Sequence, residues 1–230
     1  MCVLSRLALL SVLALASPIA SAQSPDDPKE AVERSPEMDA AETVALAAAL
    51  AAHGRRTGTA QALVSAASLL LDTPVTVGLL PGDEAVPEDS LPSLFPADLL
   101  DEALALLPDA DGTLAALITE LRVRAPTAPP PPVRGAEKGP LRYAFAVKRD
   151  DQREHTIRFR GRETATIHLI GDGSSDLDFF LYDVSGTLVA HDRGSSDTAT
   201  LFWNVPYRQD LKLVVRNRGK AGNRYHVVTN

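Results

Sequence analysis

The acidic run Asp172-Gly173-Ser174-Ser175-Asp176-Leu177-Asp178 is the one stretch of this sequence whose residue types and spacing suit metal chemistry. Hard carboxylate oxygens at alternating positions match calcium, and the two-residue period of a strand sets Asp176 and Asp178 on one side, with Asp192 and Asp197 as further candidate ligands. The run lacks the central glycine of an EF-hand loop, however, and Asp and Ser are also what a tight turn uses to hydrogen-bond its own backbone. Calcium ligation by Asp172, Asp176 and Asp178 is one expectation, and a solvated turn is the other.

A second constellation is basic. Arg158 and Arg160 alternate with Ile157 and Phe159, and Lys148, Arg149, Arg153 and Arg162 flank the same stretch. Several positive charges should therefore share one face or edge, which reads as a binding face for an anionic envelope polymer or as a charged edge that blocks strand addition. Catalytic signals are missing. The sequence has no HExxH spacing, no GxSxG elbow, no phosphate-cradling glycine loop and no CxxC pair. Its single cysteine, Cys2, lies in the leader described below, so no thiol nucleophile, disulfide or thiolate metal site is expected downstream. His53 reads as a capping or surface residue, and strand parity points His168 and His226 away from the apolar faces, toward water.

The elements that must position these residues begin with an export signal. Arg6 precedes the apolar run LALLSVLALA, Pro18 breaks it, and Ala20-Ser21-Ala22 forms a small-residue cleavage site, so residues 1–22 are expected to be a signal peptide and the protein to be secreted or periplasmic. No later stretch supplies the roughly 20 apolar residues of a membrane-spanning helix. Residues 23–37 are polar, charged and proline-broken, and are expected to be disordered. Residues 38–124 then carry four helical patterns: 38–54, stopping at Gly54; 59–72, capped by Thr59; 97–107; and 112–123, capped by Asp111. The proline-rich stretch between the second and third should be irregular. Small alanine faces suit two antiparallel helical hairpins. The first is faintly similar to a tetratricopeptide unit at Gly58, Ala62 and Pro74, without that repeat's aromatic positions.

Residues 125–139 open with APTAPPPP, which favours extended polyproline II and reads as a spacer between two domains. Charge changes sign across it. Residues 23–132 hold 6 Lys and Arg against 18 Asp and Glu, residues 133–230 hold 16 against 12, and the whole chain has a net charge of −7. Neither block is a dense polybasic tail, and no nucleic-acid partner is expected.

Past the spacer the apolar period switches from about 3.6 to 2. The alternating sets are Tyr143/Phe145/Val147, Ile157/Phe159, Ala165/Ile167/Leu169, Leu177/Phe179/Leu181, Leu188/Ala190, Ala199/Leu201/Trp203, Leu211/Leu213/Val215 and Tyr225/Val227. Eight short strands separated by turn residues require two antiparallel sheets packed face to face, since a single layer would leave its apolar face in water. Trp203 shares the parity of Leu201 and is expected between the sheets.

The segments Asp176-Leu177-Asp178 into FFLYD, Gly186 with Leu188-Val189-Ala190, Asp192, ATLFWN with Pro206, LKLVVRNRG and NRYHVVTN resemble the bacterial pre-peptidase C-terminal domain over about residues 141–230. Tyr207-Arg208-Gln209-Asp210 stands where many relatives have a Gly-Thr-Tyr-like turn. The resemblance implies a jelly-roll-like sandwich in residues 140–230, an accessory rather than catalytic role, and calcium in some relatives. The expected whole is α+β: helical hairpins followed by an antiparallel β-sandwich. In function it is an exported, non-enzymatic binding or assembly protein whose partner is an extracytoplasmic protein or an anionic envelope polymer. The alternatives are an accessory or inhibitor-like partner of a secreted peptidase and, more weakly, a cryptic hydrolase.

Overall fold

Ser35 starts the first helix. Its side chain accepts the Met38 N–H (3.2 Å), Pro36 follows at the first helical position, and Glu37 and Asp39 meet the positive end of the dipole. The computed structural model describes residues 34–80, 92–108, 112–134 and 137–230. The expected signal peptide and cleavage site, residues 23–33 of the segment expected to be disordered, and the Asp111 cap lie outside them; the end of that segment is ordered instead, with Ser35 capping a helix that Pro36 and Glu37 begin. Helix α1 spans Pro36–Thr57 and α2 spans Ala60–Asp72, with Gly58 closing α1 in the left-handed region at φ 67°. Gly54, expected as the stop, is instead buried inside α1. A Cβ there would come within 2.9 Å of Leu63 Cγ, so glycine lets α2 approach closely. Thr59 holds the N-cap position of α2 but makes no side-chain cap bond. Helices α3 (Pro96–Ala105) and α4 (Thr113–Arg124) complete the set.

The stretch expected to be irregular contains a strand, β1 (Thr76–Leu79), and the end of the proline run forms another, β2 (Val133–Arg134). The eight strands expected from period 2 follow: β3 (Leu141–Val147), β4 (Gln152–Phe159), β5 (Glu163–Gly171), β6 (Leu177–Tyr182), β7 (Leu188–Asp192), β8 (Thr198–Val205), β9 (Gln209–Asn217) and β10 (Asn223–Thr229). They form a six-stranded sheet, β2-β1-β3-β10-β5-β8, and a four-stranded sheet, β4-β9-β6-β7. Strand β1 runs parallel to both β2 and β3, and every other pairing is antiparallel. The fold is thus α+β with a C-terminal sandwich. Phe145, Phe159, Ile167, Phe179, Leu201, Leu213 and Tyr225 fill the space between the sheets. Trp203 only half enters this core, from edge strand β8, with its indole N–H buried and unpaired among the described residues.

The helices do not stand apart from the sandwich. Helix α1 lies on the outer face of the six-stranded sheet, against β5 and β10, and Ile170 and Val228 belong to the same buried cluster as Ala41, Ala48, Leu63 and Leu99. Both parities of β5 and β10 are consequently buried, as for a sheet covered on both sides. The spacer expected between separate domains is bridged in the same way, because β1 from the helical half and β2 from the proline run extend the sheet. Gly78 of β1 sits directly over the Tyr143 ring, where any Cβ would overlap it. One outer face of the sandwich is therefore roofed by the chain's own helices, and the other has no such cover among the described residues.

Candidate functional site

The uncovered face belongs to β4, β9, β6 and β7, and cross-strand register sorts its outward side chains into rows. Thr156, Lys212 and Tyr182 form one row, and Glu154, Val214, Phe180 and His191 form the next. Phe180 and His191 stack with centroids 6.5 Å apart and planes at 7°. The Arg216 guanidinium lies 5.6 Å from the Phe180 centroid, and Lys212 Nζ lies 5.4 Å from that of Tyr182. Each is within cation–π range. Lys212 also stands 3.6 Å from Glu154. The result is an aromatic strip with cationic groups held across its rings.

Arg158 lies on this face, but it forms a two-pronged pair with Asp210, at 2.6 and 2.9 Å, which holds the Asp210 carboxyl below its usual range. Arg160, just past β4, pairs with Glu163 (3.2 Å), and its N–H donates to the same carboxylate (2.8 Å). Arg149 pairs with Asp150. Much of the expected basic face is thus locally neutralised.

The acidic run divides. Asp172 serves its turn: Oδ1 accepts the Ser174 N–H (2.9 Å), and Oδ2 accepts the Arg224 N–H (3.1 Å) from β10. Asp197 Oδ2 accepts the Gly173 N–H (2.6 Å) and Asn223 Nδ2 (3.0 Å), and Asp192 accepts the Gly194 N–H. Asp178 is buried 3.7 Å from Arg218. Asp176 has one buried oxygen without a partner among the described residues. Its carboxyl is pushed up by burial first and then by the Asp178 charge, with Asp197 and Asp192 adding and Arg218 opposing. The structure thus places Asp176, Asp178, Asp192 and Asp197 within electrostatic reach of one another and commits Asp172 to the turn. Among the described residues no three His, Cys, Asp or Glu side chains are grouped to hold a metal ion.

The histidines separate by layer. His155 is sealed inside the sandwich, with Nε2 2.7 Å from Tyr225 Oη and its ring stacked on Phe145 at 3.7 Å. His53 is exposed on α1. His168 and His226 do point away from the sandwich core, but they are buried rather than solvated, each 6% exposed, because the helices cover that face. His168 Nδ1 lies 3.0 Å from Thr200 Oγ1, and burial lowers its pKa against the pull of Glu42. Burial, helped by Arg142 and less by Arg55, pushes His226 down to about 3, opposed by hydrogen bonds to the Pro92 and Tyr143 backbone. The sequence signals for covered and uncovered faces were Ile170 and Val228, apolar at outward parity, and Phe180 and Tyr182 outward beside the inward Phe179 and Leu181.

No protein-family model matches the sequence, and no curated protein matches it. Among solved structures it is similar to the pre-peptidase C-terminal domain of the collagenase from Bacillus anthracis, at 10% identity and a TM-score of 0.30 over 38% of this chain and 87% of that one. A second is Aeromonas hydrophila PliG, a periplasmic inhibitor of g-type lysozyme (12% identity, TM-score 0.30, 39% of this chain and 84% of that one). A third is a de novo designed double-stranded β-helix (10% identity, TM-score 0.27, 39% of this chain and 97% of that one). At these scores nothing about activity or partner follows from the likeness. No described helix is long and apolar enough to cross a membrane.

Proposed function

We propose that the chain is an exported, non-catalytic binding or assembly protein, and that it recognises an extracytoplasmic protein through the open face of the four-stranded sheet. Export rests on the N-terminal pattern read from the sequence. The observation that carries the binding surface is the asymmetry of the sandwich: one sheet is roofed by α1, while the other presents Phe180, Tyr182 and His191 beneath Arg216 and Lys212. Aromatic rings and guanidinium groups dominate the energetics of protein interfaces. A protein partner fits better than a sugar polymer, because cations already lie across the Phe180 and Tyr182 rings, where a sugar would stack. An anionic polymer is less favoured, since Arg158 and Arg160 are paired with carboxylates. An accessory or inhibitor-like role toward a secreted enzyme falls within this reading.

The test is affinity capture from the extracytoplasmic fraction with the wild-type protein, with a variant carrying Lys212→Glu and Arg216→Glu, and with Arg124→Glu on α4. A partner retained by the wild type and the α4 variant and lost by the sheet variant is the expected result. A captured set indifferent to the sheet substitutions contradicts the assignment.

A further inference from the structure

The six-stranded sheet ends on β8, and this edge carries none of the usual guards. Edge strands are commonly protected by charge, proline, a bulge or brevity. Strand β4, an edge of the other sheet, carries Arg153, Glu154 and Arg158; β7 has five residues and a register shift in its pairing with β6; β2 has two residues. Strand β8 runs for eight residues in an unbroken ladder with β5 and contains no charged residue and no proline. Phe202, 51% exposed, sits at its middle.

The direction of its free groups follows from the register. Gly171 N–H donates to the Asp197 carbonyl (2.8 Å), so the odd positions of β8 exchange hydrogen bonds with β5, and Thr198, Thr200, Phe202 and Asn204 turn their N–H and C=O outward. Ser196 Oγ accepts the Thr198 N–H (3.1 Å). The N–H groups of Thr200, Phe202 and Asn204 have no partner among the described residues. Water satisfies such groups on a plain solvated edge, but that leaves the uncharged run and the exposed Phe202 without a role.

One antiparallel alignment of β8 with a second β8 uses every one of these donors. Setting Phe202 opposite its own copy places Thr200 opposite the second copy's Asn204, and each free N–H then meets a free carbonyl. A two-residue slip in either direction sets one of the three against Thr198, whose N–H is taken, or against Pro206, which has none. Charge favours the same alignment. Asp172, Asp176, Asp192 and Asp197 outnumber Arg193 and Arg224 at the start of the strand, and Arg160, Arg162 and Arg208 outnumber Glu137 and Glu163 at its end. Antiparallel pairing brings the acidic end of one copy beside the basic end of the other.

We propose that the chain forms a two-fold dimer in which β8 pairs antiparallel with β8 of a second copy, joining two six-stranded sheets edge to edge with Phe202 at the axis. The contact engages the other sheet from the open face of β4, β9, β6 and β7, and either assignment can fail alone.

The test follows the full chain by sedimentation velocity from about 1 to about 500 μM, because one strand pair buries less than the roughly 800 Å² per partner of a standard interface and should dissociate in the micromolar range. A monomer–dimer equilibrium is expected. Phe202→Lys, which opposes two ammonium groups at the axis, should weaken it by about tenfold or more, and Val123→Lys on α4 should leave it unchanged. Near-UV circular dichroism confirms that each variant is folded. In a Cys2→Ser background, copper phenanthroline should couple Phe202→Cys into a disulfide dimer, since the paired Cα atoms lie about 5.5 Å apart, and not Asn204→Cys, whose copies lie about 14 Å apart along the strands. In the wild type, the Thr200, Phe202 and Asn204 amides should exchange more slowly at high than at low concentration, a readout that needs no variant. A monomer throughout the range, which would leave the edge to a strand of another protein, a dimer that Phe202→Lys does not weaken, or coupling through position 204 instead of 202 overturns the proposal.

Discussion

Lowering the pH from about 7.5 to about 5 should loosen the helical layer from the sheet through His226. The folded protein holds this imidazole neutral, with its pKa near 3, whereas the unfolded chain takes up a proton near the ordinary value of 6.5. Below that ordinary value the unfolded state binds more protons and is favoured. The contribution is therefore intact above about 6.5 and is lost as the pH falls toward the folded value of about 3. At pH 5 the proton mismatch has acted over about 1.5 pH units at about 1.4 kcal/mol each, or about 2 kcal/mol. The charged groups facing His226 are Arg142 of β3 and Arg55 of α1, and both add to the effect; Glu102 is held on Arg55. His168 titrates in the same direction under the same helix, opposed by Glu42. The assay is urea unfolding of the wild type and His226→Leu at both pH values. The wild type should lose about 2 kcal/mol more than the variant between pH 7.5 and 5, whatever the variant's absolute stability. An identical pH dependence in the two proteins would refute the burial argument.

Two further outcomes follow from the same packing. Residues 139–230 produced alone should be less stable than the full chain by about 3–6 kcal/mol, the burial of Ile170 and Val228 against the helices, measured by urea unfolding; equal stability would mean that the roof contributes nothing. Arg158→Gln should shift the unfolding midpoint by an amount equivalent to less than about 1 kcal/mol, because the Arg158–Asp210 pair is largely solvent-exposed; a larger loss would make that pair a structural anchor.

The sandwich was legible because its strands alternate cleanly: Ile157/Phe159 and Leu211/Leu213 leave one parity for the core. Strand β1 escaped notice because four residues, Thr76–Leu79, stand in a proline-rich stretch, and their pairing with β3 is parallel and non-local. The alternation Val75, Val77, Leu79 was its signal. The burial of His168 and His226 could not be read from parity, which gives a side chain's direction but not what covers it. Ile170 and Val228, apolar on the same outward parity, marked that face as covered. The calcium expectation rested on the spacing of Asp172, Asp176 and Asp178, yet spacing does not reveal that Arg224 N–H claims Asp172 or that Arg218 approaches Asp178.

The recognition surface is tested most directly by placing the photo-crosslinker p-benzoylphenylalanine at Tyr182 on the open sheet, or at Val123, 85% exposed on α4, and irradiating cells that export the protein. One discrete adduct with an extracytoplasmic protein from position 182, and none from position 123, is the predicted result. An adduct from position 123 alone, or none from either, would contradict the assignment of the open face.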